Sequence, residues 1–298
     1  KSGRALIGEQ LVMLDATKSE VLFDGLVEKP VLSINRGFSA PIVLESDRGP
    51  AELAYLSAHD DDPFARYEAM QQLMLDTLIA GVTLGKADHG PVLDAVRNTL
   101  TDPALDAAFK AEAVLLPAEA LIGDQLAEVD PDKIAQVRDA LRGAIGTTMI
   151  DAWRDAYAAH RANRYEYTPS AKGARRLRTV ALGYIAASGA DDAARLAYEQ
   201  FRDADNMTDR QGALGVLANG DSAEREQALA DFYRRFRDDA LVLDKWFSAQ
   251  ALSLRADTPA VVQQLVHHAD FTLTNPNRAR SLIGAFGANQ RAFNNADG

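Results

Sequence analysis

Apolar residues change their spacing along this chain near residue 48. Before it, short β-rich runs (Gln10 to Leu14, Glu20 to Phe23, Pro30 to Ile34, Ile42 to Leu44) are separated by turn formers at Asp24-Gly25, Arg36-Gly37 and Pro41. That is the rhythm of short strands joined by tight turns. It predicts a small β-sandwich domain over residues 1–47. A sheet this small is marginal alone, so the unit is expected to complete a sandwich with further chain or to pack on the helices that follow.

From Pro50 onward the period becomes helical and the punctuation explicit. Asp62-Pro63 opens a helix with Tyr67, Met70, Met74 and Leu78 on one face and a stop expected at Gly81. Asp130-Pro131 opens a longer one carrying Ile134, Val137, Leu141, Ile145 and Thr148, since proline at the first helical position gives up an amide that has no partner there. Leu177, Val180, Ala181 and Tyr184 lead to a stop at Ser188-Gly189. Thr208 is read as the cap of a helix through Leu214 and Leu217, Asp221 with Glu224 as a capping box before Leu229, Phe232 and Phe236, and Thr258-Pro259 as the start before Val262, Leu265 and Val266. Short loops between such helices imply antiparallel neighbours. The expected class is mainly α: an irregular α-solenoid of antiparallel helix pairs over residues 48–298, with a concave face suited to a partner. No polar capping helix closes the array and the last residues, Asn294 to Gly298, read as loop, so the chain is expected to be a truncated part of something longer.

Composition narrows the function. The chain has 298 residues, a formal charge of -11 and no cysteine. An acidic chain without clustered Lys and Arg argues against nucleic acid and against anionic membranes. No apolar run approaches the roughly 20 residues of a transmembrane helix, and the absence of thiols suits a reducing, cytoplasmic setting. No His-Glu-x-x-His, phosphate-binding glycine loop or nucleophile elbow occurs. The five histidines read as surface or packing residues. Asp60-Asp61-Asp62 precedes a helix start, where carboxylates are favoured by capping and by the helix dipole, and Trp246-Phe247 reads as core.

One block stands apart: Thr274-Asn275-Pro276-Asn277-Arg278-Ala279-Arg280-Ser281-Leu282-Ile283-Gly284-Ala285-Phe286. Asn275 reads as an N-cap and Pro276 as the first helical residue, with Ala279, Leu282, Ile283 and Phe286 forming one apolar stripe. Two arginines flank that stripe where a helix start normally carries acids. Guanidinium forks match a carboxylate two bonds at a time; the plainer alternative pairs both arginines with nearby acids of the same chain.

This block, together with Asn206-Met207-Thr208-Asp209, Leu243-Asp244-Lys245-Trp246-Phe247 and Phe38-Ser39-Ala40-Pro41, resembles the C-terminal part of the bacterial aminopeptidase N family, gluzincin zinc peptidases. The resemblance implies an enzyme of four parts, of which this chain holds a β-sandwich and a helical domain. It implies zinc in the parent enzyme but no metal ligand and no catalytic residue here, because the zinc helix and the substrate clamp lie in segments this chain lacks. It implies that the helical domain packs on the catalytic domain of the same chain and closes a chamber that admits short peptide substrates. Arg280 maps onto the chamber-facing arginine of the block and is the expected substrate-binding residue; Arg278 is expected to be structural. A stand-alone α-solenoid scaffold binding a peptide or protein on its concave face is the rival reading.

Overall fold

The structure is a computed structural model that describes residues 9–294. Sixteen α-helical segments are assigned among the described residues. The first half holds α1 (Pro50–His59), α2 (Pro63–Leu84), α3 (Gly90–Thr101), α4 (Ala107–Ala113), α5 (Glu119–Gly123), α6 (Pro131–Thr148), α7 (Ile150–Ala159) and α8 (Pro169–Ala187). The second holds α9 (Ala193–Asp203), α10 (Met207–Ala218), α11 (Ala223–Phe236), α12 (Ala240–Ala251), α13 (Thr258–Val266), α14 (Pro276–Ala279), α15 (Ala285–Ala288) and α16 (Gln290–Phe293). A π turn, Arg280–Gly284, joins α14 to α15.

Helices near in sequence pack on one another as layers of an irregular helical array, and α16 returns to touch α6. The core divides in two at α8. Leu177, Ala181 and Tyr184 face a first cluster with Trp153, Ile145 and Leu73, while Leu182 faces a second with Phe232, Phe247 and Leu282. Neighbouring residues on a helix point about 100° apart, so Ala181 and Leu182 serve the two clusters from adjacent positions. A helix buried on more than one side can afford no wide polar face.

Close approach and capping set the layer spacing. A Cβ on Gly146 of α6 would lie 2.4 Å from the Tyr184 carbonyl oxygen of α8, so only glycine allows these backbones to meet. Beside it Trp153 stacks on Tyr184 at 4.4 Å, and the Tyr184 hydroxyl donates to the Val114 carbonyl at 2.5 Å. Arginines then tie loops and helix ends together. Arg66 donates to the Ser57 carbonyl (2.7 Å), Arg138 to Pro117 (2.8 Å), Arg225 to Ala218 (3.4 Å) and Arg255 to Gly220 (2.9 Å). Carbonyls at and beyond a helix end lack an intrahelical donor, and these side chains supply one.

Several sequence expectations shift. α2 runs past Gly81 to Leu84 and stops at Gly85, which takes a positive φ of 70°. Gly81 is instead a contact point, since a Cβ there would meet Val137 of α6 at 2.5 Å. Asn206, not Thr208, caps α10, its Oδ1 accepting from the Asp209 amide at 2.9 Å. Ser222, not Asp221, caps α11; the Asp221 carboxylate is taken by Arg255 at 2.8 Å.

The N-terminal segment departs furthest from expectation. No strand forms among residues 9–49; the one regular element is a 3-10 turn at Arg36–Phe38, and Leu11, Met13, Leu22, Val27 and Val43 are exposed. A strand needs a second backbone to satisfy its amides and carbonyls, and none of the four runs lies in a ladder with another among the described residues. What the segment does make is a clasp on α2. Arg36 reaches Asp60 at 2.8 Å and Asp61 at 2.5 Å, the Gly37 amide donates to Asp62 at 3.0 Å, and the Phe38 ring sits 5.0 Å from Phe64. Asp62 also caps α2 by accepting from the Ala65 amide at 2.8 Å.

Candidate functional site

The block around Arg280 is built from its cap upward. The Asn275 side chain accepts from the Asn277 amide (3.0 Å) and the Arg278 amide (3.4 Å), and Pro276 sits in the first turn. After only four residues the α-helix widens into the π turn. A π turn inserts extra arc, so residues beyond it fall out of phase with the 3.6-residue stripe. Leu282 is fully buried, but Ile283, expected on the same stripe, is 45% exposed. The turn is held from outside by Ser248 of α12, whose hydroxyl donates to the Ser281 carbonyl at 3.0 Å, and from inside by Ser281 donating to the Arg278 carbonyl at 2.8 Å.

The two arginines take opposite environments. Arg278 is buried: its Nε donates to Asp244 at 2.5 Å, and its two terminal nitrogens donate to the Asp270 and Ala240 carbonyls. Its guanidinium carbon also lies 5.0 Å from the centre of the Phe247 ring, a cation-π distance. Thus α12, the loop before α14 and α14 itself are joined through one side chain. Arg280 is exposed and makes no side-chain hydrogen bond or ion pair among the described residues. Its stem passes over Gly284, where a Cβ would lie 3.6 Å from the Arg280 Cβ and 3.9 Å from its Cγ.

Aromatic packing forms the floor beneath. Phe247 is fully buried and Trp246 nearly so, its indole Nε1 donating to the Leu229 carbonyl at 2.9 Å. His268 packs among Tyr233, Trp246 and Phe247. The Tyr233 hydroxyl donates to Asp270 at 2.5 Å, and that bond pushes its pKa up. These rings are core, and the cation that lies over them is Arg278.

A family described as a domain of unknown function (DUF3458_C) with ARM repeats matches residues 50–298. The chain belongs to the DUF3458_C family. A second family, described as a domain of unknown function (DUF3458) with an Ig-like fold, matches residues 1–47. Aminopeptidase N of Caulobacter vibrioides is 35% identical over 288 residues, which cover 95% of this chain and 33% of the relative. Aminopeptidase N of Escherichia coli is 33% identical over 294 residues, covering 96% of this chain and 34% of the relative. Among solved structures, Legionella pneumophila aminopeptidase A in complex with aspartic acid superposes with a TM-score of 0.86 at 26% identity, covering 97% of this chain and 35% of that one. The DUF3458_C chain therefore corresponds to the C-terminal part of bacterial aminopeptidase N and spans about a third of the length of these relatives.

Within this DUF3458_C chain, no group of three His, Asp or Glu side chains among the described residues is placed to hold a metal ion. No helix among them is long and apolar enough to cross a membrane. Within the Asn275 to Phe286 block, Arg280 is the exposed guanidinium and Arg278 the buried one, and an exposed guanidinium is a group suited to an anion.

Proposed function

We propose that this chain is the helical C-terminal part of a zinc-dependent aminopeptidase that releases N-terminal residues from peptides. The helical array packs on the catalytic domain of the same protein and closes the peptide chamber. Arg280 meets the carboxylate on the C-terminal side of a bound peptide, and Arg278 holds the segment that presents it. The curated relatives support the peptidase class; the carrying observation for the site is an exposed Arg280, unpaired among the described residues, two residues from a buried, fully engaged Arg278. In the whole enzyme a zinc ion would activate water. Among the described residues no group of three His, Asp or Glu side chains is placed to hold that ion.

The test is Arg280→Ala in the whole enzyme, read with two substrates. A charge-assisted hydrogen bond contributes about 1.5 to 3 kcal/mol, so KM for a peptide with a free C-terminal carboxylate rises roughly tenfold or more. Hydrolysis of alanyl-nitroanilide, which has no carboxylate to bind, stays unchanged. If kcat and KM for both substrates match the parent, Arg280 is not a substrate contact. The 298-residue chain alone is expected neither to bind stoichiometric zinc nor to cleave alanyl-nitroanilide.

A further inference from the structure

A cleft of about 240 Å³ opens between α3, α4, α7 and α8, and none of its lining residues belongs to the Arg280 segment. Leu100, Ala152 and Leu177 give it an apolar floor, and Lys110, Asp155 and His160 add one ammonium, one carboxylate and one imidazole to the same lining. The Nδ1 of His160 lies 2.8 Å from the Ala156 carbonyl. A carbonyl only accepts, so in the neutral ring Nδ1 carries the hydrogen and Nε2 keeps an acceptor lone pair. The side chains of Lys110 and Asp155 make no ion pair among the described residues. Partial burial holds the Lys110 ammonium below the usual lysine range, with Asp102 opposing that only in part.

The volume lies below the roughly 300 to 1,000 Å³ of pockets that enclose drug-sized ligands, so a small molecule is the fitting occupant. The charges discriminate further. An inorganic anion would satisfy Lys110 but meet Asp155, and a metal cation would satisfy Asp155 but meet Lys110. A ligand with one charge of each sign and a short apolar body satisfies all three groups and the floor. We propose that this cleft binds the zwitterion of a free α-amino acid with an apolar side chain. Lys110 takes the carboxylate, Asp155 with the Nε2 of His160 takes the ammonium, and the side chain rests on Leu100 and Leu177. The site does not depend on Arg280 or on the peptidase reading.

Calorimetric titration of the 298-residue chain with L-leucine tests this, with N-acetyl-L-leucine and L-leucinamide as probes blocked at one end. Leucine binds, and blocking either end weakens binding roughly tenfold or more. Lys110→Met removes the preference for leucine over leucinamide and leaves the preference over N-acetylleucine. Asp155→Asn does the reverse. Thermal melting checks that both variants are folded. No heat of binding from leucine at about 10 mM, well above a millimolar Kd, or equal binding by the parent and both variants, overturns the proposal. Arg280→Ala leaves leucine binding intact, so this cleft and the peptide contact at Arg280 succeed or fail separately.

Discussion

Arg278 and Arg280 are separated by one residue, yet the first donates to Asp244 from inside the fold and the second reaches solvent over Gly284. This division predicts opposite phenotypes. Arg278→Ala leaves the nearly buried Asp244 carboxylate without its cation and frees the Asp270 and Ala240 carbonyls, a loss of about 3 to 5 kcal/mol. Arg278→Lys recovers little, because an ammonium cannot reach three acceptors in one plane. Arg280→Ala changes stability by less than about 0.5 kcal/mol, as for exposed side chains generally. Urea unfolding of the three variants measures all of this, and a destabilised Arg280→Ala would show that this side chain has a structural partner.

What the sequence made legible is what depends on neighbouring residues. The Asp62-Pro63, Asp130-Pro131 and Asn275-Pro276 starts appear as read because a cap and its amides lie within one turn. Features that need a distant partner were hidden. Gly81 looks like a stop until Val137 is seen against it, and Asp221 looks like a cap until Arg255 claims its carboxylate. The π turn leaves no mark in the apolar spacing, so Ile283 reads as part of the apolar stripe although it is exposed. Lys110, Asp155 and His160 share no motif, being brought together only by the packing of α4 and α7 around one cleft.

Glycines on the helices separate close approach from conformational cost. Gly146→Ala puts a Cβ where the Tyr184 carbonyl stands, within 2.4 Å, and backbone cannot swing aside as a side chain would. A loss of about 1 to 3 kcal/mol or more follows, as for other overpacked cores. Gly215, inside α10, has nothing within 4 Å of its Cβ position. Gly215→Ala therefore stabilises by roughly 0.5 to 1 kcal/mol, since glycine loses more backbone entropy on entering a helix. Melting temperatures that move in opposite directions confirm the pair.

Acid should weaken the junction of α7 and α9. Arg154 grips Asp192 with two bonds of 2.6 and 3.0 Å, and that hydrogen bonding is the main reason the Asp192 carboxyl titrates below its usual value. A lowered folded pKa means that the native state prefers the ionised form. The contribution is therefore present above the unfolded value of about 3.9 and is lost as pH falls through the folded one. Both side chains are partly exposed, so it amounts to no more than about 1 kcal/mol. Unfolding free energies at pH 7 and near pH 2.5 should differ less in Asp192→Asn than in the parent, and an equal difference would remove this pair as a cause.

The clasp between Arg36 and the acids before α2 gives the sharpest test of how the N-terminal segment is held. Asp60 is almost wholly buried, its Oδ1 accepts from Arg36 and from the Asp62 amide, and its Oδ2 has no partner. Arg36→Ala thus leaves a buried carboxylate without its cation, at a cost of about 1 to 3 kcal/mol in local stability. Asp60→Asn keeps an oxygen for the Asp62 amide but removes the charge. If the ion pair is the source of the cost, the double variant loses less than the sum of the single ones, with a coupling of about 0.5 to 3 kcal/mol. Hydrogen exchange at the Gly37, Ser39 and Ala40 amides, each bonded within or beside the clasp, reads the local opening. Additive losses would mean instead that the Arg36 and Asp60 pair does not anchor the segment, leaving that role to Asp61 and to the Phe38 and Phe64 contact.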